Sequence, residues 1–136
     1  GTIQSLDANG FGGLMSTTED LATFISAVNH GKLIKKESLN QMLTVSKLND
    51  GSNAGHQRNG SNIGLSWYIK NINGKRCVSH SGHTGTVLLF FPDEDITVVL
   101  LSNLSYGIGM IGDKGYRVWD VGFELAEMAL KQFGTK

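Results

Sequence analysis

The first third of the chain carries the signals of an amphipathic helix. Ser16 and, three residues later, Glu19 have the spacing of a capping box, in which a hydroxyl and a carboxylate satisfy free backbone N–H groups. Gly31 is a residue type that commonly terminates helices. We therefore predict a helix that begins after Ser16 and ends at Gly31. Its apolar face is formed by Leu21, Phe24, Ile25 and Val28, which recur at helical spacing.

Two further helices are predicted, a short one over residues 36–44 and a long one over residues 115–133. Gly134 follows the long helix as its stop signal. The side chains expected to be buried are Leu39, Met42 and Leu43 in the short helix, and Val118, Val121, Leu125, Ala129 and Phe133 in the long one.

Between these helices the pattern changes to that of β-strands. Residues 64–72 alternate between apolar and polar, as a half-buried strand does. Asn73-Gly74 is a strong hairpin signal, so the chain is expected to return antiparallel through residues 75–81. The predicted buried face of the first strand consists of Leu65, Trp67 and Ile69.

Two nearly continuous apolar runs follow, "TVLLFF" at 86–91 and "ITVVLLS" at 96–102. Such runs are typical of strands covered on both faces, and the "PDED" between them indicates a turn. Strands that follow one another in this way, with helices on either side in sequence, predict an α+β fold. We expect an antiparallel sheet of about four strands covered by helices.

Length and charge limit the class of protein. The 136 residues are enough for one domain with a core, so residues 1–136 are taken as a single domain or part of one. A net charge of zero offers no basic face for nucleic acid, and no apolar run reaches the ~20 residues that span a bilayer. The polar, Gly- and Asn-rich residues 45–62 are predicted to form a long loop.

The densest cluster of reactive side chains is "VSHSGHTGT", residues 78–86. A zinc site of Cys77, His80 and His83 is one interpretation, but residues 77 and 80 face opposite sides of a strand and do not converge. Cys77 is instead expected to be a small buried residue. No metal and no other cofactor is predicted, and the candidate chemistry lies in the His-Ser-Gly that ends the strand.

The order of these blocks resembles a known family. "GGLMSTTEDLATFISAV", followed by "GLSWYI" and "HSGHTGTVLLFFPDEDITVVLLSN", is similar to the C-terminal half of the serine β-lactamase-like superfamily. Its closest likeness is to the branch of class C β-lactamases, D-alanyl-D-alanine carboxypeptidases and esterases. The resemblance covers roughly residues 10–105. It implies the C-terminal half of the β-lactamase/transpeptidase-like fold and a serine hydrolase activity.

The resemblance also implies roles for the His-Ser-Gly stretch. In that superfamily a strand bearing Lys-Thr-Gly, or His-Ser/Thr-Gly, forms one wall of the active site. Carried over, His80, Ser81 and Gly82 bind substrate along an edge strand, and the backbone N–H of His83 is one donor of the oxyanion hole. An imidazole in place of Lys implies weaker and pH-dependent capture of a carboxylate. This favours carboxypeptidase or esterase activity over an efficient β-lactamase.

The register of this motif has two readings. Residues 83–85 repeat the pattern as His-Thr-Gly. Residues 80–82 are preferred because they end the predicted strand, whereas the second copy leads into the next one.

Two other elements of the superfamily's active site do not occur in the sequence. No Ser is followed three residues later by Lys, and no Tyr-x-Asn is present. Thr44 and Lys47 have the first spacing with Thr, which we interpret as chance because they lie at a helix end before a loop. The chain is therefore expected to be the C-terminal part of a hydrolase, inactive alone. The alternative is a non-catalytic binding module that retains half of the fold.

Partners and location follow from the same resemblance. The full-length parent would act on a small-molecule or peptide substrate, in the bacterial periplasm or outside the cell, with any export signal encoded upstream. Without N-terminal strands, residues 96–102 would present an apolar sheet edge. We expect homo-oligomers through that edge, or its coverage by residues 1–10 or 104–115.

Overall fold

The computed structural model describes residues 13–56, 60–104, 108–111 and 114–135. Within them the α+β fold is confirmed, and the main antiparallel sheet has six strands, in chain order, rather than about four. The helices are α1 (Thr18–Asn29), α2 (Lys36–Met42) and α3 (Val118–Phe133). The main sheet comprises β1 (Gly55–His56), β2 (Ser61–Ile63), β3 (Tyr68–Ile72), β4 (Lys75–Ser81), β5 (Val87–Phe91) and β6 (Ile96–Leu100); β7 (Ile108–Ile111) and β8 (Lys114–Arg117) pair separately.

The hairpin between β3 and β4 is confirmed where the Asn-Gly signal predicted it. Asn73 and Gly74 both have positive φ, 50° and 83°, as the two central residues of the favoured tight turn require. β3 is shorter than predicted, because Ser66 has a φ of 65° and interrupts the extended chain before Tyr68. Leu65 is consequently 56% exposed, and its assignment to the buried face was wrong.

Helix α1 begins one residue later than the capping box indicated. Its N-cap is Thr17, whose hydroxyl accepts a hydrogen bond from the Asp20 N–H at 3.1 Å. Ser16 was therefore the wrong cap. Thr17 and Asp20 repeat the Ser16 and Glu19 spacing one residue on, and the sequence alone does not choose between the two. Both pairs put an acidic side chain in the first turn, where the helix dipole favours it.

Both faces of the sheet are covered, as the apolar runs predicted. Helices α1 and α2 cover one face, around a cluster that includes Phe90. Helix α3 covers the other face, around Leu89 and Phe91. The first cluster contains Ile25, Val28, Leu39, Leu43, Val78 and Phe90; the second contains Ile72, Cys77, Val87, Leu89, Phe91, Val118, Ala126 and Leu130. Burial of these side chains is the main source of stability in such a layered fold.

Helix α3 turns a different face to the sheet from the one predicted. It begins at Val118 rather than 115, because Lys114–Arg117 form β8. Its buried residues are Val118, Gly122, Ala126 and Leu130, whereas the predicted Leu125 and Phe133 are 38% and 68% exposed. Small residues face the sheet because the helix lies close to it: a Cβ on Gly122 would lie 2.9 Å from Val87 Cγ1.

The polar stretch 45–62 contains structure that the sequence did not predict. Strands β1 and β2 pair within it, Lys47 and Asn53 form an isolated bridge, and β2 pairs onward with β3. Residues 57–59 lie outside the described part of the chain. Across the described ranges, no helix is long and apolar enough to span a membrane.

Candidate functional site

The His-Ser-Gly stretch lies where β4 outruns its neighbour β3. The last residue pair between the two strands is Tyr68 with Ser79, whereas β5 continues to pair with His80 and Ser81 through Leu88 and Val87. The expectation of an edge strand was therefore wrong for β4 as a whole, which lies inside the sheet. Only its last two residues extend beyond β3, so an edge exists locally at those residues.

A surface depression of about 290 Å³ lies against this extension. Leu21 of α1 forms one side of it, and Leu101, which follows β6, forms another. Three chain segments distant in sequence therefore meet beside the end of β4. The lining residues are Leu21, His80, Ser81, Gly82, Thr86, Val87, Leu88 and Leu101.

The imidazole of His80 is exposed and has a fixed neighbour. It stacks on the ring of Tyr68, with the ring centroids 5.3 Å apart and the planes within 7° of parallel. Offset contacts between aromatic rings contribute about 0.5–1.5 kcal/mol more than the burial of their surface area alone. Tyr68 thus sets the plane of the His80 imidazole, and His80 lines the depression.

A tight turn closes the site between β4 and β5. The Gly82 N–H donates to the Thr86 carbonyl at 2.8 Å, and the Gly85 N–H donates to the Gly82 carbonyl at 3.1 Å. Gly85 has a φ of 75°, a conformation that glycine adopts without a steric penalty. A Cβ on Gly82 would lie only 2.3 Å from Thr86 Oγ1, so this position leaves no room for a side chain.

The structure brings together three of the four predicted site residues. His80, Ser81 and Gly82 line the depression, while His83 lies next to them on the turn with its side chain exposed. The two copies of the motif also differ in structure. Residues 80 and 81 belong to β4, whereas residues 83–85 form the turn.

Cys77 lies in the core, whereas His80 and His83 are both exposed. It is fully buried against the α3 side of the sheet, and burial raises the pKa of its thiol to about 12, so the thiol stays protonated at neutral pH. Among the residues that the structure describes, no three His, Cys, Asp or Glu side chains form a group that could hold a metal ion.

Thr44 and Lys47 each bond elsewhere. The Thr44 hydroxyl donates to the Asn40 carbonyl at 2.7 Å, and the Lys47 ammonium donates to Asn53 Oδ1 at 2.6 Å. In this structure the two side chains therefore each bond to a residue other than the other member of the pair.

Charged side chains gather at the opposite end of the sheet, around the turn 92–95; we call this region the ion-pair end. Lys75 donates to Glu94 at 2.6 Å, and the Thr135 N–H donates to the same carboxylate at 2.6 Å. The hydrogen bonds from Lys75 and Thr135 lower the pKa of Glu94 to about 2. Arg76 pairs with Asp93 at 3.1 Å near the same turn.

Sequence reasoning did not find Leu21, Thr86, Leu101 or Ser102 as neighbours of the site. Leu21 was assigned to the helix face and Leu101 to an apolar strand. Their place beside His80 depends on how α1 and β6 pack, for which no local motif exists. Ser102 follows β6, and its hydroxyl reaches the carbonyls of the turn 82–86.

Comparison with known proteins gives one clear result. The profile of the family described as Beta-lactamase matches residues 2–123, most of the chain. Neither the curated proteins nor the solved structures yield a match. The profile covers both sequence blocks of the resemblance and all of the residues that form the depression. The chain therefore belongs to the Beta-lactamase family, whose members carry a serine hydrolase-like fold.

Proposed function

We propose that this chain is the C-terminal part of a serine hydrolase of the β-lactamase, DD-peptidase and esterase type. The observation that carries the proposal is the extension of His80 and Ser81 past β3, beside a depression of about 290 Å³. The family supplies the fold; the extension and the depression support the role of one wall of an active site.

The extension suits an extended substrate. The β3-facing backbone of His80 and Ser81 lies beyond the last β3 pair, where a peptide-like ligand can add as a short strand. Gly82 lines the depression, and because Thr86 Oγ1 fills the space of a Cβ, its role is to shape the turn beside the ligand. The His80 imidazole and the Ser81 hydroxyl supply donors for a substrate carboxylate, and an imidazole in the place of lysine favours carboxypeptidase or esterase activity over efficient β-lactamase activity.

The reaction proposed for the full-length parent is acyl transfer. A serine hydroxyl attacks the substrate carbonyl, the new C–O bond places negative charge on the carbonyl oxygen, and the His83 N–H stabilises that oxyanion. The leaving group departs with the proton released by the serine. The serine comes from a Ser-x-x-Lys motif, which the 136 residues of this chain do not contain.

Active-site labelling tests this proposal. A fluorescent penicillin and a fluorophosphonate are incubated with the chain and with the product of its complete reading frame. We expect no covalent label on the chain and a label on the complete product. Labelling of the chain itself would contradict the proposal. A complete reading frame without Ser-x-x-Lys would favour the non-catalytic binding module instead.

The role of His80 has its own test, in full-length protein that has not been treated with a label. Protonation of the imidazole strengthens carboxylate binding as the pH falls, whereas a lysine remains charged throughout. His80→Lys should therefore flatten the acid-side pH dependence of substrate binding. His83→Lys, which adds the same charge on the exposed turn, is the matched control and should leave the profile unchanged. The opposite result would assign the function to residues 83–85.

Self-association through β6 is also part of the proposal. β6 is the last strand of the described sheet, and α1 and α3 pack against it, so its backbone edge is the surface left for pairing. Light scattering across a dilution series should show dimers or larger species that dissociate on dilution. A strict monomer at high concentration whose β6 edge is bare would contradict the proposal, whereas coverage of that edge by residues 1–10 or 104–115 is the alternative to self-association.

A further inference from the structure

Ser102 connects the end of β6 to the turn that closes the site. Its hydroxyl lies 3.0 Å from the Thr84 carbonyl oxygen and 2.9 Å from the Gly85 carbonyl oxygen, which are 18 and 17 residues away in sequence. Both distances are those of hydrogen bonds, so the Ser102 O–H donates to the two carbonyl oxygens in turn or to both at once. A side chain from the segment after β6 therefore holds the backbone of residues 84 and 85.

The Thr84 carbonyl is linked to the His83 N–H through two peptide planes. In a trans peptide the C=O and the N–H point in opposite directions. Ser102 fixes the Thr84 carbonyl, and so fixes the direction of the Gly85 N–H in the same plane. That N–H donates to the Gly82 carbonyl at 3.1 Å. Since the Gly82 carbonyl points into the turn, the His83 N–H in its plane points out of it.

We propose that Ser102 is a positioning residue, whose hydroxyl sets the direction of the His83 N–H through the hydrogen-bonded peptide planes of residues 82–85. The meaning of this role for catalysis rests on the proposed function, in which that N–H is an oxyanion donor and its direction determines how well it stabilises the transition state.

The test uses NMR on the 136-residue chain, so it does not depend on activity. In the wild-type chain, a through-hydrogen-bond coupling is expected between the Gly85 nitrogen and the Gly82 carbonyl carbon. Ser102→Ala should weaken that coupling, shift the His83 amide resonance and raise exchange of the Gly85 amide about fivefold, the effect of losing one typical hydrogen bond. Ser102→Thr, which keeps the hydroxyl, should restore all three.

A matched control removes a hydroxyl from another turn. Ser52 donates to Asp50 at 2.6 Å, and Ser52→Ala should leave the amides of residues 82–86 unchanged. Unaltered His83 and Gly85 amides in a folded Ser102→Ala chain would overturn the proposal. Equal changes throughout β5 and β6 would also overturn it, because they would reveal a general loss of stability. If Ser102→Ala does not fold, Ser102→Cys, a weaker donor, should give an intermediate effect.

The full-length enzyme adds the catalytic readout. Ser102→Ala should lower kcat about tenfold to a hundredfold with little change in KM, a loss smaller than the 10²–10³ that follows removal of an oxyanion donor. Ser102→Thr should recover it. If the labelling experiment above fails while the NMR changes occur, the geometry of the turn stands and only its catalytic meaning is lost.

Discussion

The two ends of the main sheet are held together by different kinds of interaction. At the ion-pair end, charged and amide side chains bind the turn 92–95 to α1, to the β3–β4 hairpin and to the residue after α3's C-cap. At the end that carries the depression, which we call the site end, the turn 82–86 is held by backbone hydrogen bonds and by one hydroxyl.

The contacts at the ion-pair end therefore contribute to the stability of the fold, whereas the site end is where we propose that a ligand is recognised. Side chains at the ion-pair end bond to one another, and the depression of about 640 Å³ beside Lys75 and Thr135 is lined mainly by α3. At the site end glycines and small hydroxyl residues shape the backbone, and His80 remains exposed beside the depression. A ligand can therefore bind at the site end without displacing the contacts that join the helices to the sheet.

The largest expected effect is at the site end, from Gly82→Ala. The new Cβ would lie 2.3 Å from Thr86 Oγ1 but 3.6 Å from its Cβ, so the clash is with one oxygen. We expect a loss of about 1–3 kcal/mol in the free energy of unfolding, as for other overpacked sites. Urea denaturation measures it.

The clash has a matched rescue and a matched control. Thr86→Ala removes the oxygen, so the double variant should recover most of the loss. Gly55→Ala places a Cβ 3.8 Å from its nearest neighbour and should cost little. Equal losses in the single and double variants would show that the turn backbone, and not Thr86, excludes a side chain at residue 82.

The next effect is the acid sensitivity of the ion-pair end. The pKa of Glu94 in the folded chain is about 2, below its ordinary value of 4.5, so its stabilising effect is complete above pH 4.5 and is lost as the pH falls towards 2. The melting temperature of the wild type should fall across this range more steeply than that of Glu94→Gln. Parallel curves would indicate that Glu94 gains nothing from Lys75 and Thr135.

A smaller effect is expected where α1 joins the same turn. Asn29 Nδ2 donates to the Pro92 carbonyl at 3.1 Å in a partly buried position. Asn29→Ala should lower the free energy of unfolding by about 1 kcal/mol, the net value of one hydrogen bond. Asn103→Ala, at an exposed residue of the site end, is the control in the same urea titration. An equal loss in both variants would remove the distinction between the ends.

The smallest effect concerns Asp93. Its pair with Arg76 joins side chains that are 65% and 38% exposed. Asp93→Asn should change the free energy of unfolding by less than about 0.5 kcal/mol, because water screens exposed pairs. A loss as large as that of Asn29→Ala would mean that surface charges contribute to the ion-pair end as much as partly buried contacts do.

Local chemistry explains which parts of the fold the sequence predicted. The β3–β4 hairpin depends on two adjacent residues that tolerate positive φ, and both residue types in Asn73-Gly74 do so. The buried face of α3 was missed for the opposite reason. Periodicity counts large apolar side chains, whereas the close approach of α3 to β5 selects Gly122 and Ala126. That approach is a property of the packed fold.

The candidate site was predictable to the same limited extent. The motif and its position at a strand end are local features, so His80 and Ser81 could be named from the sequence. The length of β3 could not be predicted, because a serine rarely has a positive φ and the sequence does not indicate that Ser66 has one. Without the length of β3, the short edge of β4 at His80 and Ser81 cannot be predicted. Ser102 was equally hidden, since its partners are 17 and 18 residues away.

The burial of Cys77 provides a built-in probe for the rate at which the sheet opens. This residue is the sole cysteine, and it is inaccessible in the middle of β4, between the two ends. A thiol reagent can modify it only in molecules whose sheet has opened. With reagent in excess, the rate of modification therefore reports how often the sheet opens. The rate of thiol modification, measured for variants at either end, would show which end of the sheet opens more readily.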